Sequence, residues 1–224
     1  MSDCVEPRAG AVRTYKLRRS RIGQTRRAAL DTLLHRYALP EGELSLAGLF
    51  GDGVPVVLEI GFGVGTSTLA MADAEPELGV IAAEVHTPGV ATLVQGLDEG
   101  GLTNVRVLVG DGRELLEERI PSGSLAGVRV FFPDPWPKAR HHKRRLVEPA
   151  FVALVADRLA PGGLLHCATD WADYAQQMVE ALDAEPRLTL SAERGRPAWR
   201  PVTRFEARAH QLGRPVVDLL AARS

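Results

Sequence analysis

The sequence predicts an α/β fold, a mostly parallel sheet with helices on both faces. Three observations carry this reading. From Val54 onward, short β-branched runs alternate with stretches of helical period. Each run is almost continuously apolar, as in strands covered on both sides. Each of the first five runs also finishes with a carboxylate at or near its end: Glu59, Glu84, Asp111, Asp134 and Asp170. In open α/β sheets ligands lie beyond the carboxyl ends of the strands.

Taken in order, residues 1–23 are expected to form a flexible basic arm, polar and without a sustained apolar period. A helix follows from Gln24 to Tyr37, with Leu30, Leu33, Leu34 and Tyr37 on one stripe. Glycines and Pro40 make residues 38–53 a connector, and 54–224 is the main domain. There Val56–Ile60 is a strand, Thr66–Ala74 a helix and Val80–Glu84 a second strand. Thr87-Pro88 opens a helix with Pro at its first position, its stripe being Val90, Leu93, Val94 and Leu97. Val105–Val109 is the third strand, Arg113–Arg119 a short helix and Leu125–Phe132 the fourth strand. Pro149–Leu159 is helical, and Pro161-Gly162-Gly163 stops it. Leu164–Ala168 is the fifth strand, and Asp170 is expected to cap the helix that follows. Residues 187–191 and 203–209 read as two more short strands.

At 224 residues, the chain has the length of one large domain or of one domain with an appendage, taking about 150 residues per domain. No apolar run is long enough to span a membrane, and the start has no signal-peptide pattern. The only cysteines, Cys4 and Cys167, make neither a disulfide framework nor a zinc site, so a reducing cytoplasm is expected and no metal.

The net charge of −1 conceals segregation. Residues 8–27 hold eight Lys/Arg and residues 138–145 hold five, both without an acid. Residues 194–208 hold five Arg and one acid, Glu206. The rest of the chain is strongly acidic, so three cationic stretches point to a polyanionic partner.

The first strand runs into Gly61-Phe62-Gly63-Val64-Gly65-Thr66. A dinucleotide fingerprint needs a third glycine where Thr66 stands, and acids at the turn repel a pyrophosphate. S-adenosylmethionine carries no phosphate, and its methionine half and sulfur are cationic. Glu59 suits that end, Glu84 the ribose and Asp111 the adenine side. The fourth strand delivers Phe131-Phe132-Pro133-Asp134-Pro135-Trp136-Pro137, where two prolines hold Asp134 and bias its neighbours toward extended geometry. Lys138 to Arg145 then form a cationic run suited to a nucleic-acid backbone. Two readings of Trp136 stand, a platform for a base and a core side chain.

These blocks resemble the bacterial single-subunit tRNA (guanine-N7)-methyltransferases. The similarity lies in Glu59 to Gly65, in Glu84-Val85-His86 with Pro88-Gly89-Val90, and in Phe132 to Leu146. It continues in Ala168-Thr169-Asp170-Trp171 and Thr203-Arg204-Phe205-Glu206. The resemblance implies a class I S-adenosylmethionine-dependent, Rossmann-like methyltransferase sheet with an antiparallel last strand. It implies transfer of a methyl group to N7 of a guanosine in the tRNA variable loop. Glu59, Gly61, Gly63, Gly65, Glu84, Asp111 and Asp134 would meet the cofactor, with Asp134 as the active-site acid. Lys138, Asp170, Thr203, Arg204, Phe205 and Glu206 would hold substrate, and Arg140, His141, His142, Lys143, Arg144 and Arg145 would touch RNA. No obligatory protein partner is implied. Ala139, Arg204 and Ala209 depart from the residues usual at those places in the family. The alternative from another class is a catalytically inactive RNA-binding subunit that kept the fold.

Overall fold

The computed structural model describes Thr14, Tyr15 and residues 22–224, so most of the predicted arm lies outside the described residues. The described chain divides into two compact units between Ile120 and Pro121, with Thr14 and Tyr15 belonging to the second.

In the first unit, α1 (Gln24–Tyr37) and a short α2 (Leu46–Phe50) precede a β-α-β-α-β-α run. The strands are β1 (Val56–Ile60), β2 (Gly79–Glu84) and β3 (Val105–Val109), with helices α3 (Thr66–Ala74), α4 (Thr87–Gly100) and α5 (Gly112–Glu118). β2 pairs parallel with both β1 and β3. Every residue of β1 and β2 is buried, as their unbroken apolar runs require. The predicted α4 stripe of Val90, Leu93, Val94 and Leu97 is fully buried, each side chain stabilising by about 1.5–3 kcal/mol. Leu30, Leu33 and Leu34 of α1 pack on the same core, and Leu39 N–H donates to Val107 O at 3.0 Å, holding the connector on β3. The sequence reading omitted α2. Ser45 caps it, and Phe50 covers Gly79, where a Cβ would stand 2.5 Å from the ring.

The second unit contains β4 (Leu125–Phe131), a 3-10 turn (Ala139–Arg144), α6 (Pro149–Arg158), β5 (Leu159–Thr169) and α7 (Ala172–Asp183). It ends with β6 (Leu188–Leu190), α8 (Arg204–Gln211) and β7 (Val217–Arg223). β4 and β5 are parallel, and β7, the last strand, is antiparallel to both β5 and β6. The whole is therefore a mostly parallel α/β sheet protein. α6 starts as its sequence suggests, with Pro149 in the first turn and the Glu148 carboxylate accepting from Ala150 and Phe151 N–H at 3.0 Å.

Three predicted features differ. Pro161-Gly162-Gly163 does not merely end α6; it lies inside a longer β5. Leu125 faces Leu159 while Gly127 faces Leu164, so the extra residues bulge out of the ladder. Asp170 does not cap α7; Trp171 occupies that position without a side-chain cap. Residues 203–209 are not a strand. They lie in α8 and its cap, with Thr203 Oγ1 accepting from Glu206 N–H at 3.1 Å.

Candidate active site

In the first unit the glycine turn is shaped by its backbone. Gly61, Gly63 and Gly65 have φ of 78°, 66° and 80°, a region that side chains with a Cβ avoid. A Cβ on Gly65 would stand 2.8 Å from Leu93 Cβ. Gly89, at the start of α4, approaches more closely still: a Cβ there would stand 1.8 Å from the Gly63 carbonyl oxygen. In the sequence Gly89 stood out only as part of a family block, because the contact exists only once α4 has docked on the turn.

Glu84 ties this turn to the end of β2. Gly63 N–H donates to Oε2 at 2.8 Å, while Val85 and His86 N–H donate to Oε1 at 2.8 and 2.9 Å. The carboxylate is thus a structural clamp on the turn as well as the predicted ribose acceptor. Glu59 is buried inside β1. Asp111 caps α5 through Arg113 N–H at 2.9 Å, and burial pushes its carboxyl above the usual range. Gly112 beside it allows close packing, since a Cβ would stand 2.8 Å from Ile60 Cγ1.

In the second unit β4 ends directly in the acidic turn. Phe132 and Trp136 both have positive φ, 53° and 46°. A bulky residue with φ above zero is an outlier costing about 1–3 kcal/mol. Phe132 also precedes Pro133, where extended backbone was expected. Asp134 is half-buried between these two strained aromatics. Of the two readings of Trp136, the structure favours packing. The indole is buried, its Nε1–H donates to Thr14 O at 3.0 Å, and the Arg144 guanidinium lies 4.9 Å from its ring centre.

The cationic run divides by side chain. Lys138, Arg140 and Lys143 are exposed, while His141, His142 and Arg144 are half-buried. Partial burial, together with the cations of Arg140 and Arg144, holds the His141 imidazole below the usual histidine range. Arg145 corrects the expectation of an RNA contact. It is 1% exposed, donates to Pro135 O at 2.9 Å and to Gln177 Oε1 at 2.7 Å, and pairs with Asp173. Its guanidinium pins the acidic turn to α7 and has no surface left for a phosphate.

The third cationic stretch is also largely structural. Arg200 is fully buried, with Nε and Nη2 donating to the two oxygens of Asp218 at 2.7 and 2.8 Å. Its Nη1 donates to Glu206 Oε2 at 2.7 Å, and Arg196 Nε lies 3.2 Å from Glu206 Oε1. His166 Nε2 lies 2.7 Å from Asp218 Oδ1. Burial lowers the His166 pKa against the pull of Asp218. For Asp218 burial acts upward, but the His166 and Arg200 bonds outweigh it and hold the carboxyl below its usual range. Thr203 and Glu206, expected at the substrate, are therefore buried and already engaged as cap and ion-pair partner. Arg204 and Phe205 between them are exposed, and the Phe205 ring stacks on Phe132 with centroids 6.0 Å apart. Ala209 is buried in α8, so that departure concerns helix packing. Asp170 pairs with Arg214 at 3.2 Å. Among the described residues no group of His, Cys, Asp and Glu is arranged to hold a metal ion.

A family model described as a putative methyltransferase matches residues 54–219. Proteins named tRNA (guanine-N(7)-)-methyltransferase are similar along nearly the whole chain. The one from Streptomyces avermitilis is 49% identical over 95% of this chain and 75% of its own length. That from Nitrosospira multiformis is 47% identical over 93% of each. This chain belongs to the bacterial tRNA (guanine-N7)-methyltransferase family. Among solved structures, the 16S rRNA methyltransferase KamB matches with a TM-score of 0.58 at 20% identity, over 84% of this chain and 99% of that one. An rRNA methylase from Streptococcus thermophilus gives 0.51 at 19%, over 80% and 91%. At those identities they show the fold, the class I methyltransferase sheet. Family membership leaves the residue-level reading to the geometry. There, Arg145 is paired with Asp173, and Glu206 with Arg196 and Arg200, all partners outside the family blocks.

Proposed function

We propose that the protein transfers a methyl group from S-adenosylmethionine to N7 of a guanosine in the variable loop of tRNA. The observation that carries this is the acidic turn: one carboxylate, Asp134, held between two left-handed aromatics and followed by exposed cations.

Features of the first unit support this choice of cofactor. Its strand ends offer the acids Glu59, Glu84 and Asp111 around a backbone turn, a set of acceptors hostile to a pyrophosphate and matched to a cationic amino acid. Gly61, Gly63 and Gly65 would let the turn approach the ligand, Glu84 would accept from the ribose, and Asp111 would border the adenine. When bound, S-adenosylmethionine supplies an electrophilic methyl group on a positive sulfur. Guanine N7 carries a lone pair in the neutral base, so no protein group need remove a proton. The residues' task is alignment and charge. Asp134 would hold the guanine and stabilise the positive charge that develops on its ring. Lys138, Arg140 and Lys143 would engage phosphates, while His141, His142 and Arg144 line the same run. The exposed ring of Phe205 and the cations Arg204 and Arg208 would contribute a contact for an unstacked base.

The match over 54–219 supports reading 54–224 as the methyltransferase domain. The proposal includes a basic arm over 1–23, a cytoplasmic location and action without an obligatory protein partner. Among the described residues no helix is long and apolar enough to cross a membrane. An inactive RNA-binding subunit is not favoured, since Glu59, Glu84, Asp111 and Asp134 are all present.

Labelled methyl transfer to tRNA lacking 7-methylguanosine, with the product base identified, tests the function. Label in 7-methylguanosine is the expected result, and label in any other base overturns it. A second measurement tests the RNA surface. Replacing Arg140 and Lys143 with Ala should weaken tRNA binding and flatten its salt dependence by about 0.7–0.9 in slope per lost phosphate contact. Cofactor affinity should stay constant. An unchanged salt slope would make the run a solvated face.

A further inference from the structure

Arg200 lies in a stretch whose charge suggests RNA binding, yet it is 0% exposed and cannot meet a substrate. Around it are two buried carboxylates, Asp218 and Glu206, and a buried histidine, His166. Replacing a buried ion cluster by apolar groups of similar volume is often neutral or stabilising. Stability is therefore a weak reason for so many charges here. Direction is a stronger one, because a guanidinium fork fixes the orientation of the groups it binds.

The fork has three outlets. One edge holds Asp218 on β7 through two bonds. The remaining nitrogen holds Glu206 in the first turn of α8. The guanidinium centre lies 5.5 Å from the Phe131 ring centre and 5.8 Å from that of Phe132. Phe132 is the strained residue two positions before Asp134, and on it stacks Phe205 of α8. His166 braces the cluster beneath, with Phe131 and Trp199 edge-on at 4.8 and 4.9 Å.

We propose that Arg200 is a positioning residue for the methyl transfer: through Phe132 and Glu206 it sets the pose of the Asp134 turn and of the first turn of α8. This rests on the proposed activity. A left-handed phenylalanine persists only where its surroundings over-determine it, and the Arg200 cluster is one such surrounding.

Two variants test it. Arg200→Lys keeps the charge and loses the fork. A triple variant, Arg200→Met with Asp218→Asn and Glu206→Gln, removes the charges at similar volume. For each, calorimetry gives the fraction that binds S-adenosylmethionine, and single-turnover kinetics at saturating tRNA give the rate per binding-competent molecule. The expected result is near-full cofactor stoichiometry, tRNA affinity close to wild type, and a rate about ten- to a hundredfold lower. A wild-type rate per competent molecule in the triple variant, whatever its melting temperature, overturns the proposal. So does loss of cofactor binding in both variants, which marks a folding role. A wild-type protein that makes no 7-methylguanosine overturns the proposed activity itself, a separate outcome.

Discussion

Asp134→Asn is expected to lower the single-turnover rate by about a hundredfold to a thousandfold, the usual size for one pre-organised group facing developing charge. Asparagine keeps the shape and one acceptor oxygen, and the prolines and left-handed aromatics beside it are unchanged. What it loses is the negative charge proposed to oppose the growing positive charge of the guanine ring. tRNA affinity should remain close to wild type, because the phosphate contacts proposed for the exposed Lys138, Arg140 and Lys143 do not involve this side chain. The wild-type rate should be flat from neutral to mildly alkaline pH, since N7 has no proton to lose. A rate that climbs about tenfold per pH unit there would reveal an essential base and overturn the orienting role.

Glu84→Gln should raise the dissociation constant for S-adenosylmethionine by about ten- to a hundredfold, equivalent to ~1.5–3 kcal/mol. Three backbone N–H groups donate to this carboxylate, on both of its oxygens. Glutamine has one acceptor oxygen, so its amide NH2 must face either Gly63 N–H or the Val85 and His86 pair. One side of the clamp is then donor against donor, and the glycine turn is released from the end of β2. tRNA binding measured without cofactor should not change. A variant that binds the cofactor as tightly as wild type would show that the turn keeps its shape without the Glu84 clamp.

The parallel strands and most helices were legible because burial on both faces leaves unbroken apolar runs, and α4 and α6 also announce their starts with Pro. Residues 203–209 were misread for a physical reason. Phe205, Ala207 and Ala209 alternate with charged residues and imitate strand period. The capping pattern of Thr203 with Glu206 three residues later was visible and points to a helix. Here, however, the glutamate completes its bonding with Arg200 and Arg196, partners that no local pattern names. The cationic stretches show the same limit. Charge density identified the run from Lys138 to Arg145, but not that its last arginine turns inward to Gln177 and Asp173. Spacing alone put the glycine turn, Glu84 and Asp111 at the ends of their strands; the bonds of Glu84 to Gly63, Val85 and His86 needed the fold.

The two left-handed aromatics around Asp134 have a consequence for portability. A hexapeptide from Phe131 to Trp136, cut out of this scaffold, would have every reason to relax: both strained residues would fall back to negative φ and the carboxylate would lose its aim. Its conformation is borrowed from Arg200 behind Phe132, from Arg145 on the Pro135 carbonyl and from Arg144 over the indole. The family signature is thus a linear label for a shape stored elsewhere in the chain. Transplanting the activity to another methyltransferase sheet would require moving the arginines and their carboxylate partners together with the turn.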